Sequence, residues 1–251
     1  MRRPLVLVLL AGLLPAAGQA ADPSALWKIV NGQCVPHQQA SGDPAPCAEV
    51  NLTQGVERGW ALLKDIRGIA QYLLIPTARV SGIDDPAILA PGAPNYWVPA
   101  WQARTLVERK LGKTLPRDGF ALSINSAYGR SQDQLHIHVD CIRLDVRQAL
   151  LERLAEVSAK WAPFPVPLAG SAYRAMRTDG DTLTVDPFRL LADGDPEAAA
   201  AMGRHTLALV GVTFAGDAKG FVLLDGQATV MPPDRGHSEA LEDHDCAIAD
   251  R

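Results

Sequence analysis

Residues 134–143 read QLHIHVDCIR. Polar and apolar residues alternate strictly, the period of a β-strand and not of a helix. Leu135, Ile137, Val139 and Cys141 point one way; Gln134, His136, His138 and Asp140 point the other. The first row reads as core. The second sets a carboxamide, two imidazoles and a carboxylate in line at intervals of about 6.5–7 Å, twice the rise per strand residue. A polar sheet face can simply meet water. A zinc site is a second reading, because neutral imidazoles in H-x-H bind zinc. The further ligands it needs have no supporting spacing among His37, His205, His237 and His244. The reading adopted is acid–base or nucleophilic histidine chemistry.

Outward from this strand, residues 119–125 (GFALSIN) read as a strand and 126–133 as a polar loop. Residues 146–161 read as a helix, stopped by prolines at 163, 165 and 167. Upstream, 59–63 and 70–76 read as a hairpin turning at Asp65–Gly68, with a helix over 96–111 and loops over 35–55 and 84–95. A short amphipathic helix is expected over 24–33. Downstream come a helix near 195–203 and strands at 206–213 and 220–224. Strands and helices mix without regular βαβ alternation, so the expected class is α+β with an antiparallel sheet. Tyr96, Trp97 and Trp101 read as core before pocket lining. Lys64 and Arg79 read as exposed hairpin charges, and His205, His237 and His244 as surface or locally bonded residues. Asp179-Gly180-Asp181 is a turn without calcium-loop spacing.

The chain has 251 residues, 47% hydrophobic and 21% charged, with a formal net charge of −4. That balance argues against a basic nucleic-acid surface. MRRPLVLVLLAGLLPAAGQAA opens with two arginines, an apolar run and small residues, the pattern of an export signal over 1–20, or of an uncleaved N-terminal anchor. Four cysteines behind such a segment suggest two disulfides. Four allow three connectivities. Cys34 and Cys47 bracket 12 residues, a loop whose closure contributes about 3 kcal/mol in the chain-entropy treatment. Cys141 then takes Cys246, unless Cys141 is a buried thiol on its strand. The expected organisation is the leader, a core over 24–161, and a C-terminal extension over 162–251 packed on it.

Asn125, Gly129, Gln132, His136 and His138 resemble, in order and spacing, the motif of the histidine-triad (HIT) superfamily, H-φ-H-φ-H-φ-φ on a strand behind an Asn and a Gly-containing loop. The resemblance implies a HIT-like antiparallel sheet with packed helices. In this register His136 is the first triad histidine and His138 the second, nucleophilic one, with His136 a supporting donor. Asp140 stands third, where the superfamily usually has His or Gln. Sliding the register by two puts Gln134 first and makes His136 the nucleophile; Asn125 and Gln132 favour the first register. The resemblance casts Asn125 and Gln132 as phosphate-binding. Arg130 is a candidate for neutralising phosphate charge or a solvated loop arginine, and Asp140 is placed in or beside the site.

Longer stretches resemble one exported branch, the CDP-diacylglycerol pyrophosphatases. They are Cys34 through Cys47-Ala48-Glu49-Val50, Leu73-Leu74-Ile75-Pro76-Thr77, Trp101-Gln102-Ala103-Arg104, Ile124-Asn125-Ser126, Leu135 to His138 with Cys141-Ile142-Arg143, and Asp243-His244-Asp245-Cys246. The implied activity is hydrolysis of CDP-diacylglycerol to CMP and phosphatidate through a covalent histidine–CMP intermediate. No metal or other cofactor is called for. The implied partner is the lipid substrate at a membrane surface, with no nucleic acid and no obligate protein partner. The implied location is periplasmic or inner-membrane-associated. Two other functions fit the same residues: hydrolysis or transfer on a soluble nucleotide diphosphate, and, prompted by Asp140, non-catalytic binding of a nucleotide or lipid.

Overall fold

The computed structural model describes residues 22–251; the expected leader, 1–20, lies outside the described residues. The chain begins with helix α1 (Ala25–Ile29), a wide π-helical turn (Val30–Cys34) and helix α2 (Val35–Ser41). Strands β1 (Glu49–Asn51), β2 (Trp60–Lys64) and β3 (Tyr72–Pro76) follow, then helices α3 (Trp97–Gln102) and α4 (Arg104–Leu111). Next come β4 (Phe120–Ile124), β5 (Ile137–Cys141) and helix α5 (Leu144–Glu152). The last third holds β6 (Ala162–Pro163), β7 (Arg174–Asp179), α6 (Pro187–Gly194), α7 (Pro196–Ala200), β8 (His205–Thr213) and β9 (Lys219–Gln227). No described helix is long and apolar enough to cross a membrane.

The described strands form one sheet of nine, ordered β1-β2-β3-β5-β4-β8-β9-β7-β6, and every neighbouring pair is antiparallel. The architecture is α+β. The sheet runs without a break from the first half of the chain into the second, because β8 lies beside β4 with Leu122 opposite Leu209. β5 sits between β3 and β4, with His138 opposite both Leu73 and Ser123. A residue on β5 therefore has a neighbour on each side and no edge to water.

Both sheet faces are covered. Ala61, Leu63, Leu73 and Ile75 pack with Leu26, Val30 and Val35 of the N-terminal helices. Leu62, Leu74, Ile137, Val139 and Cys141 pack into the larger core with Trp97, Trp101 and Phe120. Trp97 meets Phe188 edge-on at 5.4 Å and Trp101 meets Phe221 at 5.1 Å, so these indoles are core. Gly211 on β8 makes room for one of them: a Cβ there would stand 2.3 Å from the Trp101 ring. Two disulfides, Cys34–Cys47 and Cys141–Cys246, realise the pairing expected from the sequence. The first ties the π turn to the start of β1. The second ties the C-terminal segment to β5.

Several boundaries differ from those expected, each for a local reason. The loop expected over 35–55 is helical to Ser41, because the wide turn ahead of Pro36 relieves its clash with the preceding carbonyl. Gly42, at φ 74°, ends the helix. The helix expected over 96–111 is two helices meeting at Ala103. The one expected over 146–161 stops at Glu152. A 3₁₀ turn at Leu154–Glu156 leads to Ser158, whose carbonyl accepts from Arg177 N and draws the chain to the sheet edge. β7 escapes the reading because RAMRTD carries charges on both faces. α6 is announced by Asp186-Pro187, where the aspartate caps Phe188 N and proline takes the first helical position.

Candidate active site

The polar row of 134–143 is not a solvated face. His136 and His138 are almost wholly buried, and Gln134 and Asp140 completely so. Two pieces of chain close over them. The hairpin turn at 65–69 is one: Ile69 N donates to His244 O, and a Cβ on Gly68 (φ 64°) would meet His244 at 3.1 Å. The other is the segment after β9, residues 234–246. Its 3₁₀ turn, Ser238–Leu241, is seated against β8 by Ser238 N donating to Thr206 Oγ1, and the chain ahead of it beside the end of β4 by Ser126 N donating to Gly236 O. Gly129 allows that contact, since a Cβ would come within 2.8 Å of Gly236 O. Between these pieces lies a cavity of about 460 Å³, in the range of small-molecule sites. His136, His138, His237, Glu239 and Asn125 share its wall with Leu26 and Ile29 of α1 and with Asp65, Ile66 and Arg67 of the hairpin.

The two imidazoles are held in different ways. His136 Nδ1 lies 2.7 Å from the carbonyl oxygen of Gln134. A carbonyl only accepts, so Nδ1 carries the proton and Nε2 the lone pair. His138 Nδ1 lies 2.7 Å from Gln71 Nε2, which donates to it and to Glu242 Oε2 at 3.3 Å. An Nδ1 that accepts leaves the proton on Nε2. His138 Nε2 has no hydrogen-bond partner and stands 3.7 Å from Glu239 Oε2. The rings pack edge to face at 4.9 Å. Burial lowers the proton affinity of both, that of His138 to about 3, so both are neutral at physiological pH.

Glu239 is the electrostatic centre of the wall. Asn125 grips it twice: Nδ2 donates to Oε2 at 3.1 Å, and Glu239 N donates to Oδ1 at 3.2 Å. His244 Nε2 faces Oε1 at 3.5 Å and His237 Nε2 faces Oε2 at 3.7 Å. Burial opposes the charge, but the protonated His244 leads the groups that outweigh it, with Asn125 donating beside it, and this carboxyl is held well below the usual carboxylate range. Glu242 behaves oppositely. Fully buried beside Asp140 and Glu239, it is pushed well above that range and is neutral.

Asp140 accepts from His244 Nδ1 at 2.8 Å. His244, expected at the surface or in a local hydrogen bond, is a half-buried link between Asp140 and Glu239, and these two carboxyl groups, Asp140 first, raise its proton affinity to about 10. Asp140, Glu242 and His244 offer atoms within 4.8 Å of one another, close enough to share a cation. Asp140 and His244 are hydrogen-bonded to each other, and the neutral Glu242 accepts from Gln71 instead. An ordinary histidine titrates near 6.5. The stability from this raised group is therefore fully present below about pH 6.5 and lost as pH rises towards about 10. The thermal midpoint of the wild type should exceed that of His244→Gln by a margin that shrinks across this window. A constant margin from pH 6 to 10 would contradict the assignment.

The remaining sequence candidates stand as follows. Gln132 lines the cavity, but its side chain accepts from Leu26 N and donates to Asp22 O, pinning α1 to the wall. Arg130 pairs with Asp84 and Asp133. Gln134 Nε2 donates to Pro76 O and Ala78 O, tying β5 to the exit of β3. Lys64 lines the cavity and donates to carbonyls of its own hairpin. His205, expected at the surface or in a local hydrogen bond, is buried and bonded to Asp225 at 2.7 Å. Gln71, Glu239 and Glu242 join the site without a signal in the sequence pattern. Gln71 hid in a strand reading as apolar, and the two glutamates in a polar C-terminal stretch with no period.

Two neutral imidazoles side by side in the wall of a cavity are an arrangement that acid–base or nucleophilic chemistry can use. A family profile described as CDP-diacylglycerol pyrophosphatase matches residues 21–250, and the chain belongs to that family. A Yersinia pestis protein named CDP-diacylglycerol pyrophosphatase is 42% identical over 245 residues, covering 97% of this chain and 92% of its own.

Proposed function

We propose that the protein hydrolyses CDP-diacylglycerol to CMP and phosphatidate, that His136 forms the covalent bond to CMP, and that His138 donates to the phosphoryl group. The observation that carries the assignment is the 2.7 Å contact of His136 Nδ1 with the Gln134 carbonyl. It leaves the Nε2 lone pair as the nucleophile without prior loss of a proton. This corresponds to the register shifted by two, with Gln134 in the first position. Nε2 attacks the cytidylyl phosphorus and the phosphorus–oxygen bond to phosphatidate breaks. The electron pair leaves on the phosphate oxygen, so no proton is needed for departure. His138, its Nδ1 occupied by Gln71, turns Nε2–H to the phosphoryl oxygens. Water then displaces the imidazole and CMP leaves. One displacement becomes two easier ones, and the protein's part is positioning and charge stabilisation.

Family membership and the relative's name support the substrate. A lipid substrate places the protein at a membrane surface, and the apolar run at 4–14 suits an exported or anchored chain. The test is release of CMP from CDP-diacylglycerol in detergent micelles. CDP-choline, which keeps the nucleotide and lacks the acyl chains, serves as the soluble comparison. Turnover of the lipid alone is expected; equal turnover of both would favour a soluble nucleotide diphosphate as substrate. Chelators should leave the rate within about twofold, because the steps above are assigned to side chains. Loss of activity on chelation with recovery on adding zinc would move the chemistry to a metal-bound hydroxide.

A further inference from the structure

In the first step Glu239 does nothing, yet it is the most firmly held carboxylate in the cavity wall. Asn125 fixes it from two sides, and His244, anchored by Asp140, faces its outer oxygen. The inner oxygen, Oε2, is left 3.7 Å from Nε2 of both His138 and His237. That is too long for a direct hydrogen bond and suits a bridging water or phosphoryl oxygen between the groups. Asp65, the other carboxylate of the wall, is turned to its own hairpin and accepts from Arg67 N.

We propose that Glu239 is the general base of the second step, taking a proton from the water that attacks the cytidylyl–histidine. The proposal rests on the covalent reading given above. Phosphatidate departs from the face opposite His136, and the hydrolytic water enters through the space it vacates. Glu239 Oε2 accepts one proton from that water. The oxygen bonds to phosphorus, the phosphorus–Nε2 bond breaks, and its electron pair returns to the imidazole as the lone pair. The proton on Glu239 passes to solvent when CMP leaves. Held by Asn125 and the protonated His244, the carboxylate is ionised before substrate binds, as a base must be. The negative phosphoryl group of the intermediate then raises its proton affinity at the moment of use. An ionised carboxylate cannot be the acid for the first step, whose leaving group needs none.

The test is rapid-quench kinetics on the full protein with CDP-diacylglycerol in detergent micelles, following phosphatidate, CMP and protein-bound cytidylyl group separately. Glu239→Gln should release one phosphatidate per site at a rate near wild type, then slow in CMP release by about 10²–10⁴-fold, the span of general-base effects. An acid-labile adduct should accumulate in step with that loss. Azide, which needs no deprotonation, should restore turnover to Glu239→Ala. The burst itself reports folded sites; should the amide variant fail to fold, Glu239→Asp, with the same charge and a shorter reach, is expected to show the same split. Equal slowing of phosphatidate and CMP release, or adduct in wild type without enrichment in the variant, would overturn the role of Glu239 alone. No adduct in any of the proteins would overturn the covalent reading and the proposal with it.

Discussion

His136→Ala is expected to lose turnover and adduct formation together, by on the order of 10⁴-fold or more, the scale at which losing a nucleophile removes the whole covalent pathway. The fold should survive, since the apolar face of β5 (Ile137, Val139, Cys141) is untouched and two disulfides remain. His138→Ala should lose less, about 10²–10³-fold, the cost of one preorganised donor to a developing charge. It should still form adduct on His136, slowly. Peptide mapping of the trapped cytidylyl group decides between the rings. Adduct on His138, or a His136→Ala protein that keeps most of its rate, would restore the first register. Nitrogen NMR of the resting protein offers a check that needs no substrate: His136 should show the Nδ1–H form and His138 the Nε2–H form.

Breaking Cys141–Cys246 should come second in effect. The bridge spans 105 residues, and closing a loop of that size contributes about 4–5 kcal/mol in the chain-entropy treatment. It joins β5, next to Asp140, to a segment that carries His244 two residues before the cysteine and Glu239 seven before it. Cys141→Ser/Cys246→Ser should therefore lower the thermal midpoint and cost at least about tenfold in kcat below that midpoint, with slow CMP release the larger part. Cys34→Ser/Cys47→Ser opens a far shorter loop, whose closure contributes about 3 kcal/mol, away from the imidazoles. It should lower stability and leave kcat within about twofold at temperatures where the protein is folded. Full activity after complete reduction of both bridges, verified by thiol count, would show that backbone contacts alone hold the C-terminal segment in place.

The strand at 134–143 was legible because its alternation admits one conformation, and its neighbours at 59–63, 70–76 and 119–125 because turn residues bound short apolar runs. Helix ends were less so. Pro36 reads as a breaker, and only the π turn ahead of it lets the helix pass. Arg177 N, out of sight of any local pattern, captures the end of the helix after β5. Among the candidate residues, the histidine pair lines the cavity as its alternation suggests, and Asn125 as the family resemblance implies. Gln132 lines it too, but its amide is spent on α1, and Arg130 is spent on Asp84 and Asp133. A side chain's partners come from the segment that folds against it, which spacing along one strand does not contain.

By itself the sequence determined the α+β class, an even count of cysteines suited to two bridges, and the place of the histidines on the polar row of one strand. Each of these depends on local period, on turn chemistry or on a count. The tertiary structure alone decided the chemistry of that row. The Gln134 carbonyl assigns the proton of one ring and Gln71 that of the other. The C-terminal segment brings Glu239 and His244, about a hundred residues away in sequence, within 4 Å of His138 and Asp140. A proton's position follows from the acceptor or donor it faces, and a group's charge from the water it has lost. Both are set when distant pieces of chain close over the strand.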